Sequence, residues 1–142
     1  MAEQSLAELK FSEPTDIQEK TIPLVLNQTE DLVAVAKTGT GKTAAFGIPL
    51  LQLIDTDNTN VQVVILAPTR ELGQQIHSNL VSYASQSSSI SIAAVCGGIA
   101  IKPQIERLKT PTHIVVATPG RLIDLIQKKH IKLDDIEITV LD

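Results

Sequence analysis

The sequence is poor in aromatic side chains. Tryptophan is absent, and Phe11, Phe46 and Tyr83 are the only phenylalanine and tyrosine residues among 142. This scarcity excludes a binding surface that stacks many nucleic-acid bases on aromatic rings. A single cysteine, Cys96, excludes a disulfide framework and a cysteine-cluster metal site, and it favours a reducing compartment.

Positive charge is not in excess either. The 12 Lys and Arg against 16 Asp and Glu give a net charge of −4, which argues against a polybasic nucleic-acid or membrane binder but allows a local basic site. No apolar run approaches the roughly 20 residues of a membrane span. The N-terminal sequence MAEQSLAELK lacks a secretory pattern. These absences predict a cytoplasmic protein with no membrane partner.

Short runs rich in Val and Ile alternate with segments of helical periodicity. Because both faces of each run are apolar, they are typical of strands in a covered parallel sheet; the runs are 31–36, 61–67, 90–96, 112–118 and 137–142. Helical spacing appears at 44–54, 72–84, 101–108 and 122–129. Gly47 and Pro49 should weaken or kink the first of these helices. Thr118 and Pro119 open the last helix as N-cap and first-turn proline.

This alternation predicts an α/β fold with an open, doubly wound, mostly parallel sheet. Ligands on such sheets bind where the strands end, at the carboxyl edge.

The most informative segment is AKTGTGKT at 36–43, placed between a predicted strand and a predicted helix. That context is the one a phosphate-binding loop of the form GxxxxGKS/T requires. Gly39 and Gly41 allow a close approach of backbone to phosphate, and the helix start adds N–H groups and its dipole. Lys42 would reach the β- and γ-phosphates and Thr43 would ligate Mg²⁺. The first position is Ala36 instead of glycine.

Further polar groups follow the other predicted strands. Thr69 and Arg70 come after the second strand, and Gly97 and Gly98 after the third. Thr118, Gly120 and Arg121 come after the fourth, and Asp142 ends the fifth. A hydroxyl, a helix start and an arginine together suit phosphodiester oxygens. Ordinary capping, with each arginine paired to a nearby carboxylate, is the alternative.

Near the N-terminus, Thr15 and Gln18 form a T-x-x-Q capping box. That pattern alone is a sufficient account of Gln18. A glutamine amide can also pair bidentately with adenine N6 and N7, so both interpretations remain open on spacing alone.

These segments together resemble the DEAD-box RNA helicases over nearly the whole chain. FSEPTDIQEKTIP resembles the family's Q motif, and AKTGTGKT resembles motif I, including its first-position alanine. PTREL resembles motif Ia, Gly97-Gly98 the GG motif, TPGR motif Ib, and VLD the start of motif II, VLDEAD.

The resemblance implies a RecA-like P-loop NTPase domain, the first of two in an ATP-dependent RNA helicase, with ATP and Mg²⁺ as cofactors. The implied nucleotide-binding residues are Phe11, Thr15, Gln18, Thr38, Gly39, Thr40, Gly41, Lys42 and Thr43. Gln18 would read adenine beside Phe11. Lys42 and Thr43, with Asp142 orienting Mg²⁺ through water, are the implied catalytic residues. A single RNA strand would be contacted along its backbone by Thr69, Arg70, Gly98, Thr118, Gly120 and Arg121.

The resemblance also implies what the 142 residues lack. No aromatic residue precedes Phe11, which predicts weaker adenine binding. The glutamate after Asp142, the SAT motif and the second RecA-like domain do not occur in the sequence. We therefore expect an inactive fragment, 1–142, with a Q motif at 11–18 and a domain incomplete at its C-terminus.

The strand leading to the SAT motif in this family lies between the phosphate-loop strand and the strand that ends at Asp142. Without it, we expect 32–36 and 138–141 either to pair directly or to recruit a neighbouring molecule, giving a dimer or strand swap.

Two other classes of protein are alternatives at this point. A different P-loop nucleotide-binding protein is one, although no guanine-reading N-K-x-D string occurs. A non-catalytic RNA-binding module is the other, and the net negative charge and few aromatic rings disfavour it.

Overall fold

The computed structural model describes residues 13–28 and 30–142, so Phe11 lies outside the described residues. These residues separate into two units. One unit runs through Ile54 and includes Asn79–Ser88, and the other consists of Asp55–Ser78 and Ser89–Asp142.

The second unit is built on a four-stranded parallel sheet. Its strands, in chain order, are β1 Val63–Leu66, β2 Ile92–Val95, β3 Ile114–Ala117 and β4 Ile138–Leu141. They lie side by side in the order β2-β3-β1-β4, with every neighbouring pair parallel. Four of the runs predicted as strands are thereby confirmed.

Five helices accompany these strands in the described part of the chain. They are α1 Asp16–Asn27, α2 Lys42–Leu53, α3 Arg70–Tyr83, α4 Ile101–Leu108 and α5 Pro119–Gln127. The predicted helices are confirmed with small shifts at their ends, and Thr118 is the N-cap of α5, with Pro119 in its first turn. α2 continues through Gly47 and Pro49, both buried. A Cβ on Gly47 would approach Leu80 Cδ2 to 2.7 Å, so glycine allows this close contact.

One core cluster lies beneath α4 and α5. Val64, Val95 and Val115 contribute one residue from each of β1, β2 and β3, and Leu122 and Leu125 cover them from α5. The apolar stripe of α4 packs against the same cluster: Ile101, Ile105 and Leu108. Amphipathic helices on an apolar sheet are what the sequence pattern predicts.

The predicted strand at 31–36 is wrong, because these residues form no strand in the structure. Val33 is 88% exposed and Val35 is 91% exposed. A strand exists only when a neighbour supplies partners for its N–H and C=O groups. No described strand pairs with this segment, since β4 ends the sheet and pairs only with β1. Direct pairing of 32–36 with 138–141 is therefore also wrong for this chain.

No helix in the described ranges is long and apolar enough to cross a bilayer.

A buried histidine lies at the start of β3. His113 is 3% exposed, and its Nδ1 accepts a hydrogen bond of 2.9 Å from the Ser91 backbone N–H. Its Nε2 is buried without a partner in the described structure. Burial lowers the pKa of His113, and the charge of Asp55 opposes the shift.

This histidine predicts a loss of stability in mild acid. Because the pKa of His113 is lower in the folded state, the unfolded chain binds more protons between the two pKa values. Its contribution is fully present above the unfolded pKa and is lost as pH falls below it. We expect the free energy of unfolding, from urea titrations, to fall between about pH 7.5 and pH 5.5.

His113→Asn, whose Oδ1 can replace Nδ1 as acceptor, should flatten that dependence. The matched control is His130→Asn, which changes an exposed histidine and should keep the wild-type slope. Equal slopes in wild type and His113→Asn would contradict the assignment.

Candidate functional site

The loop before α2 has the backbone geometry of a phosphate-binding loop. Gly39 and Gly41 have φ values of 82° and 83°, in the left-handed region that favours glycine. Thr40 Oγ1 donates to the Lys37 carbonyl oxygen over 2.5 Å, which closes the turn. Gly41 is the N-cap of α2, so Lys42 and Thr43 form the first residues of that helix.

The predicted capping box contacts this loop. Thr15 is the N-cap of α1, and its backbone N–H donates to Gln18 Oε1 over 3.1 Å. Gln18 Nε2 donates to the Gly41 carbonyl oxygen over 3.2 Å, and Thr15 Oγ1 donates to the Thr40 carbonyl oxygen over 2.8 Å. Capping and contact with the phosphate loop thus occur together. The carbonyl groups that Thr15 and Gln18 contact could not be identified from the sequence.

The side chain of Gln18 leaves no space for a side chain at position 41. Gln18 is only 4% exposed, and a Cβ on Gly41 would collide with its side-chain amide nitrogen. Any side chain at position 41 would push Gln18 away from the loop. The loop conformation and the placement of Gln18 therefore depend on each other.

The residues at the start of α2 fit a polyphosphate. Lys42 supplies a cation and Thr43 a hydroxyl, both half-buried, and the first helical turn has N–H groups without helical partners. No atom lies within 4 Å of the position that a Cβ on Gly39 would occupy. No group of three His, Cys, Asp or Glu that could hold a metal occurs among the described residues.

In the second unit, the carboxyl ends of β1 and β2 meet through an arginine. Arg70 begins α3 just after β1, and its Nη1 donates to the Gly98 carbonyl oxygen over 3.1 Å. Its Nη2 pairs with Glu71 Oε1, also at 3.1 Å. Thr69 Oγ1 accepts from the Leu72 N–H and so caps the helix. Thr69 thus caps the helix and Arg70 has a carboxylate partner, the two contacts that the capping alternative describes.

A second arginine reaches the same loop from the end of β3. Arg121 Nη2 donates to the Ile99 carbonyl oxygen over 3.0 Å, and its Nη1 donates to Gln104 Oε1 over 2.8 Å. Thr118 Oγ1 accepts from the Gly97 N–H at 2.9 Å. Arg121 thus has no carboxylate partner in the described structure; it holds a loop carbonyl and an amide.

These bonds join four of the residues predicted to contact RNA to the loop at 97–99: Arg70, Gly98, Thr118 and Arg121. Gly98 has a φ of 75°, and a Cβ there would lie 3.0 Å from Arg70 Nη1. Gly120 has nothing within 4 Å of its Cβ position, so a ligand can approach its backbone. Asp142 ends this unit, and its N–H extends the β4 ladder to the Leu66 carbonyl oxygen at 3.0 Å.

Two ionisable groups, the Cys96 thiol and the Glu71 carboxyl, lie in the segments that follow β2 and β1. Burial raises the pKa of the Cys96 thiol, although the Thr118 backbone and the charges of Arg121 and Arg70 oppose the shift. The thiol is therefore protonated at neutral pH and unsuited to act as a nucleophile. A backbone hydrogen bond of Glu71 itself, and then its contact with Arg70, lower the pKa of the Glu71 carboxyl.

Gln104 was not identified from the sequence as a site residue. A signal did exist, because Gln104 lies three residues after Ile101 on the apolar side of α4. A polar residue in such a stripe must find partners for its amide when it is buried.

Comparison with known proteins gives consistent matches. The family model for the DEAD/DEAH box helicase matches residues 15–142. The DEAD-box ATP-dependent RNA helicase CshA of Streptococcus pneumoniae is 48% identical over 140 residues, covering 96% of this chain and 26% of that protein. The ATP-dependent RNA helicase CshA of Listeria monocytogenes is 48% identical over 139 residues, covering 98% of this chain and 26% of that protein. The chain thus spans about a quarter of the length of these curated relatives.

Solved structures agree with the sequence matches. A DEAD box protein from Methanococcus jannaschii superimposes with a TM-score of 0.91 at 42% identity, covering 98% of this chain and 38% of that chain. A variant of S. cerevisiae Dbp5 bound to RNA and ADP BeF3 gives a TM-score of 0.88 at 30% identity, covering 99% and 35%. These matches confirm the predicted fold class, a RecA-like α/β domain.

Proposed function

Because the chain belongs to the DEAD/DEAH box helicase family, we propose that residues 1–142 are the ATP- and RNA-binding part of a first RecA-like domain. The whole protein would be an ATP-dependent RNA helicase that unwinds short duplexes or remodels RNA–protein complexes. The Q motif of this first domain would lie at 11–18. A second RecA-like domain would complete the active site of the whole protein. The observation that carries the proposal is the contact of Thr15 and Gln18 with the glycine loop before α2.

The glycine loop before α2 and the residues that contact it have separate proposed roles in binding ATP. Thr38 to Thr43 would surround the phosphates with backbone N–H groups, and Lys42 would neutralise phosphate charge. Gln18 would face the adenine, with Phe11 beside the ring. The Gln18 amide uses one N–H and one oxygen lone pair for its partners within the chain, so its second N–H and second lone pair would be the ones to pair with adenine.

Mg²⁺ would neutralise charge on the phosphates when bound, with Thr43 as a direct ligand and Asp142 acting through water. Lys42, Thr43 and Asp142 are the proposed catalytic residues. We expect the 142-residue chain to bind ATP without measurable turnover. It carries only the first acidic residue of the DEAD sequence, and the proposed cationic clamp would come from the second domain.

For RNA, the proposed surface is the carboxyl edge of the sheet. Thr69, Arg70, Gly98, Thr118, Gly120 and Arg121 would contact one strand by its sugar-phosphate backbone. Arginine N–H groups, threonine hydroxyls and the open backbone at Gly120 suit phosphate oxygens, which carry no base information.

The nucleotide proposal predicts separable effects of two substitutions. Lys42→Ala should weaken ATP and ADP binding by about tenfold or more, because it removes a charge-assisted contact worth ~1.5–3 kcal/mol. Gln18→Ala should reduce the preference for ATP over GTP more than it reduces phosphate affinity. Isothermal titration calorimetry with each nucleotide and Mg²⁺ measures both.

The matched control for Lys42 is Lys20→Ala, which removes the same charge from an exposed position on α1 and should leave binding unchanged. Equal affinity of the unmutated chain for ATP and GTP would rule out adenine recognition by Gln18. ATP turnover by the 142-residue chain would rule out the proposed inactivity.

The RNA proposal predicts binding that depends on salt and not on sequence. Arg121→Ala should weaken the binding of uridine and adenosine oligonucleotides alike, and it should lower the slope of affinity against salt concentration. Fluorescence anisotropy over a salt series measures both quantities. Lys132→Ala, an exposed cation in the segment before β4, is the control. A loss confined to one oligonucleotide sequence would contradict backbone recognition.

We also propose that the isolated chain associates with a second copy through unpaired backbone. β4 has one paired neighbour, and Val33 and Val35 are almost fully exposed; unpaired apolar edges recruit strands. Sedimentation equilibrium should show a dimer whose population falls in Val33→Lys/Val35→Lys. A monomer at every concentration would reject this association.

A further inference from the structure

Gln104 occupies a position where the pattern of α4 calls for an apolar residue. Ile101, Ile105 and Leu108 form the apolar stripe of α4 that packs on the core cluster. Gln104 lies on the same side of the helix by its spacing. It is nevertheless the buried residue of α4, at 9% exposure. Burying an amide is unfavourable unless its donors and acceptor are used.

Both ends of this amide are used by groups of the proposed RNA surface. Nε2 donates to the carbonyl oxygen of Cys96 over 3.0 Å, directly after β2. Oε1 accepts from Arg121 Nη1 over 2.8 Å. The two partners fix the orientation of the amide, because a carbonyl oxygen can only accept and a guanidinium can only donate.

Arg121 is thereby held at two points. One terminal nitrogen donates to Gln104 and the other donates to the Ile99 carbonyl oxygen. A planar guanidinium with both terminal nitrogens anchored cannot turn freely, and its other N–H donors keep a defined direction. A side chain ordered before binding loses less conformational entropy when it meets a phosphate.

From this geometry we infer that Gln104 is a positioning residue, which orients Arg121 for an RNA phosphate without touching the RNA itself. The inference rests on the RNA function proposed for Arg121. Gln104 lies outside the motifs that carry the resemblance to the DEAD-box family. The Cys96 carbonyl serves as the fixed point, because it follows β2 directly and lies in the sheet's buried end.

The test is a double-mutant cycle on RNA affinity. Gln104→Leu keeps the apolar stripe and removes both amide bonds. We expect it to weaken binding of a fluorescein-labelled uridine oligonucleotide by about twofold to tenfold at fixed salt, the range for one side chain that must be ordered on binding. Combined with Arg121→Ala, it should add no further loss, because Gln104 acts through Arg121.

Thr112→Val is the matched control for a lost buried hydrogen bond. Thr112 is buried just before β3, where its Oγ1 accepts from Arg107 and donates to the Thr110 carbonyl oxygen. The substitution should lower stability in urea and leave RNA affinity unchanged. Gln104→Met provides a second variant without the amide, in case the leucine variant does not fold by circular dichroism.

A readout without RNA tests the positioning directly. In the NMR spectrum of the free chain, the Arg121 Nε–Hε resonance should shift in Gln104→Leu and stay in place in Thr112→Val. An unchanged Arg121 resonance in both Gln104 variants would overturn the inference.

The outcomes of the cycle separate two failures. If Arg121→Ala leaves RNA affinity unchanged, or the unmutated chain binds no RNA, the proposed RNA surface is wrong and the role of Gln104 is overturned with it. If Arg121→Ala weakens binding but Gln104→Leu and Gln104→Met do not, the surface stands and the positioning role is overturned. Additive losses in the double variant would also overturn it, because Gln104 would then act independently of Arg121.

Discussion

The parallel hydrogen-bond ladder of the sheet is the constraint on which the second unit depends. β3 and β1 lie at its centre, and each pairs on both sides. Parallel strands must all end at the same edge, so the chain segments after β1, β2 and β3 are brought together whatever their sequences. The apolar strands satisfy the ladder, and the polar segments that follow them form the surface.

At that edge, backbone carbonyls need donors, and two arginines supply them. The loop at 97–99 turns with Gly98 at a positive φ, which exposes carbonyl groups that no strand can satisfy. Arg70 and Arg121 each donate to one of them. Each guanidinium group has five N–H donors, and the bonds to the loop use only some of them. An arginine can therefore hold the loop and still donate to a ligand.

In the first unit, side chains likewise donate hydrogen bonds to carbonyl groups of a glycine-containing loop, the loop before α2. Glycine residues allow the loop to turn, but they also leave it without side chains to hold its shape. Thr15 and Gln18 provide this support from α1 by donating to the carbonyls of Thr40 and Gly41. An N-terminal capping box, which is a local device, thus also stabilises a loop more than twenty residues away.

The sequence by itself determined those features that depend on neighbours along the chain. Alternating apolar runs and helical periodicity located β1 to β4 and α3 to α5, and the glycine spacing located the loop before α2, because these patterns reflect local backbone preferences. The capping box at Thr15 was visible for the same reason. Motif order was enough to indicate the family, which the family match then confirmed.

Only the tertiary structure decided features that need a partner distant in sequence. The segment 31–36 has the composition of a strand, yet it forms none, because strand formation requires a neighbouring ladder and composition cannot provide one. Gln18, Arg70 and Arg121 likewise each have a partner that is distant in sequence. Gln104 interrupts the apolar stripe of α4, and its amide finds its partners only because folding brings Cys96 and Arg121 within hydrogen-bonding distance.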